Sequence, residues 1–348
     1  MGDELPKFTA AAVQAAPVFL DRGATIDKAC RLIEEAAVAG AQLVVFPETW
    51  VPAYPFWIGS PQIFSAEWFV RLYKSAVEVP SAATDTLCRA AARACTYVVI
   101  GINERAGHSI FNSLLYIDDA GRVMGVHRKL MPSFSERTVW GWGDGSGLHV
   151  FDTPLGQLGG LICWEHEMTL VKYAMYTKHE QVHASVWPAW TMQTDHIAYG
   201  TRQYAYEGGC FVLASCGVLD ETLPKELQIP TISANGGSAI IAPNGDYLAG
   251  PVYDKEEIVY AEIDLEAVIR QKHSRDVSGH YARPDVVQLV LHAQPQPNVL
   301  VRDQGLAEPR ERLAKILAHI ETNDSAGSDT ELLAALEELQ QALSRAGA

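Results

Sequence analysis

The sequence predicts an α/β fold built on mixed sheets, and three observations carry that prediction. Short β-rich runs alternate with amphipathic helical runs as far as about residue 290. Some runs are joined by hairpin turns and others by crossover helices, so strands pair in both directions with helices outside. The chain has 348 residues, 48% hydrophobic and 20% charged, which is enough for a substantial core.

Taken in order, Thr9–Gln14 reads as a strand, Thr25–Ala39 as a helix and Gln42–Phe46 as a fully apolar strand. Helical spacing returns at Ala66–Val79 and Thr84–Cys95, followed by strands at Tyr97–Glu104, Ile110–Asp118 and Arg122–His127. Asp118-Asp119-Ala120-Gly121 supplies turn chemistry between the last two. Leu148–Asp152 and Gln157–Ile162 flank a Thr-Pro-Leu-Gly turn. A helix over Met168–Lys178 then leads to the strand Gln181–Trp187, which Pro188 ends. A helix from about Asp195 to Tyr206 precedes the strand Cys210–Ser215. Asn244-Gly245 joins Gly237–Ala242 to Tyr247–Gly250, and Glu256–Ile263 closes the series. The tail differs: from Leu306 it is helical and charged, with one apolar stripe at Leu313, Ile316, Leu317 and Ile320 and another from Leu332 to Leu343. The expected organisation is a catalytic-size domain over 1–290 and a partly helical extension over 291–348 that packs on the domain or on a partner subunit.

Charge excludes some functions. Lys plus Arg is 27 against 42 Asp plus Glu, a formal charge of −15, where nucleic acids or an anionic membrane would call for a basic face. No apolar stretch reaches the roughly 20 residues that span a bilayer, and Met1–Pro6 lacks the basic start and apolar run of a secretory signal. The six cysteines show no C-x-x-C pair, so reduced thiols and a cytoplasmic setting are expected.

Three polar residues stand at the ends of apolar strands. Cys163 ends Gln157-Leu158-Gly159-Gly160-Leu161-Ile162-Cys163, and a helix opens soon after. That strand-to-helix turn exposes a nucleophile, and nearby backbone N–H groups are expected to favour its thiolate. Most free cysteines are inert core residues, and the other five are read that way. Glu48 ends the strand that runs through Val44-Val45-Phe46-Pro47. A carboxylate there is costly unless used, and burial raises its pKa toward that of a general base; the alternative is a capping or salt-bridged Glu. Lys129 follows the strand that ends at His127 and, taken alone, reads as a surface lysine. Together the three make a base, a charge stabiliser and a thiol at the strand ends where α/β sites gather.

These segments resemble the nitrilase branch of the carbon–nitrogen hydrolase (nitrilase) superfamily. The resemblance rests on Phe46-Pro47-Glu48-Thr49, Arg128-Lys129-Leu130-Met131-Pro132, Glu136-Arg137-Thr138-Val139-Trp140-Gly141 with Gly143-Asp144-Gly145, and Cys163-Trp164-Glu165-His166. Trp187-Pro188 and Ser278-Gly279-His280-Tyr281-Ala282-Arg283-Pro284-Asp285 extend it, so that it spans residues 8 to about 290. It implies a four-layer α-β-β-α sandwich, Cys163 as nucleophile, Glu48 as general base, Lys129 as charge-stabilising proton donor, and Glu136 as a second glutamate that holds the constellation. It further implies a small-molecule nitrile and water as substrates, a Cys163 thioimidate and thioester, no cofactor and no metal. Homo-oligomers built from dimers, growing into spirals, also follow from it. Tyr54, Trp164, Trp187 and Trp190 are the candidate substrate-binding aromatics, with core packing as the competing role for each. Trp142 is bulkier than the family pattern, which implies an altered pocket entrance.

Rival readings are separable. His179-Glu180-Gln181-Val182-His183 spells the zinc-protease string, but that chemistry needs both histidines on one helical face, and here a helix gives way to a strand. A papain-like Cys/His pair using His127 or His166 would leave Glu48 and Lys129 without a role. A non-enzymatic assembly protein would show no turnover. Within the family, a nitrile-to-amide hydratase or an amidase would use the same residues.

Overall fold

The computed structural model describes residues 4–188, 190, 193–228 and 234–296. Twelve strands among them form two six-stranded sheets, one ordered β12-β1-β2-β3-β4-β5 and the other β11-β10-β9-β8-β7-β6. The first sheet contains β1 (Lys7–Gln14), β2 (Ala41–Val45), β3 (Tyr97–Ala106), β4 (Ser109–Ile117), β5 (Val123–Arg128) and β12 (Glu257–Asp264). The second contains β6 (Val150–Thr153), β7 (Gly156–Ile162), β8 (Val182–Trp187), β9 (Phe211–Cys216), β10 (Gly236–Ile241) and β11 (Tyr247–Tyr253). Both are mixed: β1, β2 and β3 run parallel, as do β7, β8 and β9, with antiparallel neighbours outside.

Period-two patterning explains why two sheets stack. Ala10, Ala12, Leu43, Val45, Val99, Leu114 and Tyr116 share one core with Leu158, Ile162, Ala184, Val186, Leu213 and Ile240 of the other sheet. Their neighbours Ala11, Val13, Val44, Val98, Ile100, Leu115 and Ile117 face outward against α1 (Arg22–Val38) and α3 (Ala82–Ala94). Leu161, Val212, Ala214, Ala239 and Ile241 face outward against α4 (Thr169–Tyr176) and α5 (Thr194–Gly208). The result is the four-layer α-β-β-α arrangement. Strands apolar on both faces are what a sheet covered on both sides requires.

Local chemistry sets the helix starts. Asp21 caps α1, Ser65 caps α2 (Ala66–Ser75), and Ser81 with Thr84 forms a capping box on α3. The expected helix 66–79 stops at Ser75 because the chain turns to sheet pairing, with Val77 N–H donating to the Asn103 carbonyl at 2.8 Å. One helix was not anticipated: α6 (Glu266–Ser274), directly after β12. The elements form one compact unit that closes at Pro295, while the tail stripes at 313–320 and 332–343 lie outside the described residues. No helix among the described residues is long and apolar enough to cross a membrane. All six cysteines are free thiols.

One glycine fixes the loop that carries Glu48. A Cβ on Gly101 of β3 would stand 2.2 Å from the Pro47 carbonyl oxygen and 2.4 Å from the Thr49 nitrogen. Both are backbone atoms, so the loop itself would have to move. Gly101→Ala is therefore expected to cost about 1–3 kcal/mol of stability. It should also lower turnover by displacing Glu48. A thermal melt with a parallel rate assay checks this, and an unchanged melt would show that the loop gives way freely.

Candidate active site

Two antiparallel steps, β3 to β4 and β4 to β5, restore strand direction. The C-terminal ends of β2 and β5 therefore emerge at the same end of their sheet, carrying Glu48 and Lys129 just beyond them. Cys163 follows β7 in the opposing sheet and opens a short 3-10 turn, Cys163–Glu167. Its φ is +52°, a left-handed conformation that side-chain-bearing residues rarely adopt and one that often marks a functional site.

The side chains meet. One carboxylate oxygen from Glu48, one from Glu136 and the Cys163 sulphur all lie within 4.8 Å of one another. Lys129 Nζ donates to Glu48 Oε1 at 2.9 Å and to Glu136 Oε2 at 2.8 Å. Lys129 and Glu48 are 1% and 2% exposed, so the lysine that looked like a surface residue is a buried cation held between two carboxylates. A metal ion would find three donor atoms here, but the ammonium already supplies positive charge at that point.

The two glutamates differ in how fully they are engaged. Glu136 accepts from Lys129, from the Tyr54 hydroxyl at 2.8 Å and from the Ser133 N–H at 2.6 Å. Glu48 Oε1 accepts from Lys129 and from Asn112 Nδ2 at 2.6 Å, whereas its Oε2 is buried with no hydrogen-bond partner among the described residues. A buried, unpaired carboxylate oxygen is a proton acceptor in waiting. Burial lifts the Glu48 carboxyl to about 7, against the pull of Lys129 and helped by the neighbouring Glu136 charge.

The resting state of the sulphur overturns the expected thiolate. Burial, then the Glu48 charge, push the Cys163 thiol well above its usual range, outweighing Lys129 and the hydrogen bond from the Trp164 N–H. For Lys129, burial opposes the charged form. The Glu136 and Glu48 carboxylates, with the hydrogen bond to Glu136, more than compensate and hold it above the usual lysine value. The arrangement is thus a neutral thiol beside a carboxylate that titrates near neutrality and an ammonium that stays charged.

Several residues that build the site were quoted in the sequence without a role, or missed. Asn112, on β4, bonds Glu48 through its side chain and the Lys129 N–H through its carbonyl at 2.8 Å. Its signal was the polar pair Asn112-Ser113 inside an apolar strand. Glu165 accepts from the Ile162 N–H at 2.7 Å and the Leu130 N–H at 2.8 Å, and pairs with His127 at 2.9 Å. It ties the turn of Cys163 to the loop of Lys129. His127 is engaged with Glu165 and with the Gly147 carbonyl, which places it in the scaffold rather than beside the thiol as a papain-like base.

The candidate aromatics fall in different places. Tyr54 is buried, bonded to Glu136 and edge-on to Trp140 and Trp190 at 5.4 and 5.6 Å. Trp190 is half-buried, and its indole N–H and that of Trp164 are buried without partners among the described residues. Trp164 also lines a cleft of about 280 Å³ with Met131, Phe134, Arg137 and Met168. Trp187 lies in the inter-sheet core, its N–H on Ser185 and its face stacked on His166 at 5.1 Å. Trp142 is 64% exposed and lines a separate cleft with Glu104, Arg128 and Asp144, whose walls include none of the four clustered residues. The zinc-protease string does not form a metal site. His179 ends the α4 turn with φ +61°, His183 lies on β8, and Glu180 bonds His183 at 2.7 Å.

Comparison with known proteins places the chain in a family. The family model for carbon–nitrogen hydrolases matches residues 9–273. The bifunctional nitrilase/nitrile hydratase NIT4 of Oryza sativa subsp. japonica is 42% identical over 312 residues, covering 82% of this chain and 84% of the relative. The aliphatic nitrilase of Rhodococcus rhodochrous is 42% identical over 299 residues, covering 81% and 82%. Among solved structures, Nit3 of Saccharomyces cerevisiae superposes with a TM-score of 0.66 at 21% identity, over 79% of this chain and 96% of that one. A carbon–nitrogen hydrolase of Helicobacter pylori G27 gives 0.64 at 24% identity, over 77% and 93%. At those identities the structures speak to the fold alone. The sandwich, the buried Glu-Lys-Cys cluster and a match across most of the sequence lead to one assignment: the chain belongs to the carbon–nitrogen hydrolase family.

Proposed function

We propose that the protein is a nitrilase, converting an organic nitrile and two waters to the carboxylic acid and ammonia through Cys163. One observation carries the reading. A buried thiol, a buried carboxylate oxygen with no partner among the described residues and an enclosed ammonium share a single cluster. Glu48 accepts the thiol proton as sulphur attacks the nitrile carbon. The nitrogen gains a proton from Lys129 or from the protonated Glu48, and a thioimidate forms. Water, deprotonated by Glu48, adds to that carbon. The nitrogen then leaves as ammonia, and a thioester remains. A second water releases the acid and restores the thiol. Lys129 and the Trp164 N–H stabilise the charge that develops at each addition, while Glu136 holds Lys129 in place.

A second reading concerns the product. If the thiol leaves the tetrahedral intermediate before the nitrogen does, the amide is released instead, and a 42% identical relative is named as both nitrilase and nitrile hydratase. The test is a panel of aliphatic, aromatic and arylacetonitrile substrates with acid, amide and ammonia scored separately. Acid with equimolar ammonia supports the nitrilase, amide without ammonia supports the hydratase, and no turnover of any nitrile sinks both.

The substrate wall is Trp164, Tyr54 and Trp190, with Trp187 contributing from the inter-sheet core. The unit over 1–290 carries the catalysis, and 291–348 is an extension that serves packing or subunit contacts. A cytoplasmic homo-oligomer of dimers extending into helical filaments fits the family resemblance and the free thiols, and sedimentation with electron microscopy reads the assembly directly.

A further inference from the structure

Behind the nucleophile lies a buried chain of polar side chains that the proposed chemistry does not use. His166 Nδ1 is 2.6 Å from the Cys163 carbonyl oxygen, and its Nε2 is 3.0 Å from His183 Nε2. His183 Nδ1 is 2.7 Å from Glu180 Oε1, and the Tyr204 hydroxyl donates to Glu180 Oε2 at 2.6 Å. His166 and Glu180 are each 1% exposed, and His183 and Tyr204 are fully enclosed. The chain is built into the fold. A Cβ on Gly159, which pairs with His183 across the sheet, would stand 2.1 Å from Glu180 Oε1.

Proton counting gives the chain a direction. A carbonyl only accepts, so His166 Nδ1 carries a hydrogen. Burial and the neighbouring His183 hold His166 well below the usual imidazole range, so the ring is neutral and its Nε2 is an acceptor. His183 must then donate through Nε2, and one further hydrogen, on its Nδ1 or on Glu180, fills the 2.7 Å contact between them. The peptide that receives this donation joins Cys163 to Trp164. Its carbonyl end is held by His166, and its other end, the Trp164 N–H, favours the Cys163 thiolate against the push of burial. Hydrogen bonds in series polarise one another, so a donor on the carbonyl strengthens the N–H at the other end.

We propose that His166 is a positioning residue for the Cys163–Trp164 peptide. It keeps that N–H aimed at the sulphur and at the substrate atom that gains charge, while His183, backed by Glu180 and Tyr204, fixes the tautomer that makes the donation. The inference rests on Cys163 being the nucleophile.

The test compares His166→Phe, which keeps a ring against Trp187 but removes the donor, with His166→Asn. An Asn Nδ2 stands the same number of bonds from Cα as His Nδ1, so it still donates to the Cys163 carbonyl but does not reach His183. His166→Phe is expected to lower kcat about 10-fold with KM within about twofold, a fraction of what removing a direct oxyanion donor costs. His166→Asn should recover most of kcat. His183→Leu should lower kcat several-fold in the native protein and leave it unchanged in the His166→Asn background, a non-additivity that mere packing would not produce. Unchanged kcat in His166→Phe, equal losses in the Phe and Asn variants, or equal losses from His183→Leu in both backgrounds would overturn the proposal. If His166→Phe does not fold, the His183→Leu comparison decides alone. Cys163→Ala, run in parallel, separates the two claims: ammonia release from that variant removes the nucleophile itself, whatever the His166 series shows.

Discussion

Cys163→Ala is expected to end turnover, lowering ammonia release by at least about 10⁴-fold, in line with the loss of other enzymatic nucleophiles. The fold should survive. The sulphur is a small part of a large inter-sheet core, and alanine keeps a Cβ on the same left-handed backbone, so the strain at φ +52° is unchanged. Glu48, Lys129 and Glu136 retain their mutual bonds, since the hydrogen bonds of that trio do not pass through the sulphur. The variant should therefore melt near the native temperature and still bind substrate. Nitrile would be held beside an ammonium and a carboxylate with nothing to attack it. Ammonia release alongside a native-like melt is the deciding pair of measurements. Retained release would mean that some other group attacks, or that Glu48 activates water directly on the nitrile.

The sequence yielded most of this site because each catalytic candidate breaks a pattern. Glu48, Lys129 and Cys163 each follow an apolar run whose period and length identify a strand, and strand ends in such folds share one face. What lay hidden was of another kind. That β1–β5 with β12, and β6–β11, form two sheets depends on which apolar faces meet, and most inner strands carry apolar residues on both faces. Alternation alone therefore cannot say which side looks at the other sheet and which at a helix. Asn112 and Glu165 act through partners 64 and 35 residues away, a relation that no local spacing expresses. The protonation of Cys163 was misjudged for the same reason. Local N–H groups argue for a thiolate, but complete burial and a carboxylate from the opposing sheet set the balance. The zinc-protease string shows the reverse case, where local spacing suggested a site and chain direction dissolved it.

Glu48→Gln isolates the proton acceptor from the scaffold. The amide oxygen can take the place of Oε1 and accept from Lys129 and Asn112, so the loop and the lysine keep their anchors. The amide nitrogen then falls where the unpaired Oε2 stands, replacing an acceptor by a donor. Folding should be little changed, while kcat should fall about 10²–10⁴-fold, the range that general acid–base groups supply. The pH profile gives the sharper readout. With Glu48 as the proposed general base the carboxylate is the competent form, and burial has lifted its protonation to about 7. Below that point the carboxyl is protonated and cannot take the thiol proton, so kcat/KM should fall by about tenfold per pH unit as pH drops. Above it the carboxylate predominates and the rate should level off, because the thiol stays protonated well beyond the usual cysteine range until Glu48 takes its proton. In Glu48→Gln the residual rate should lose that acid limb. An acid limb that persists in the variant would assign it to another group and leave the raised Glu48 carboxyl as a feature of the scaffold alone.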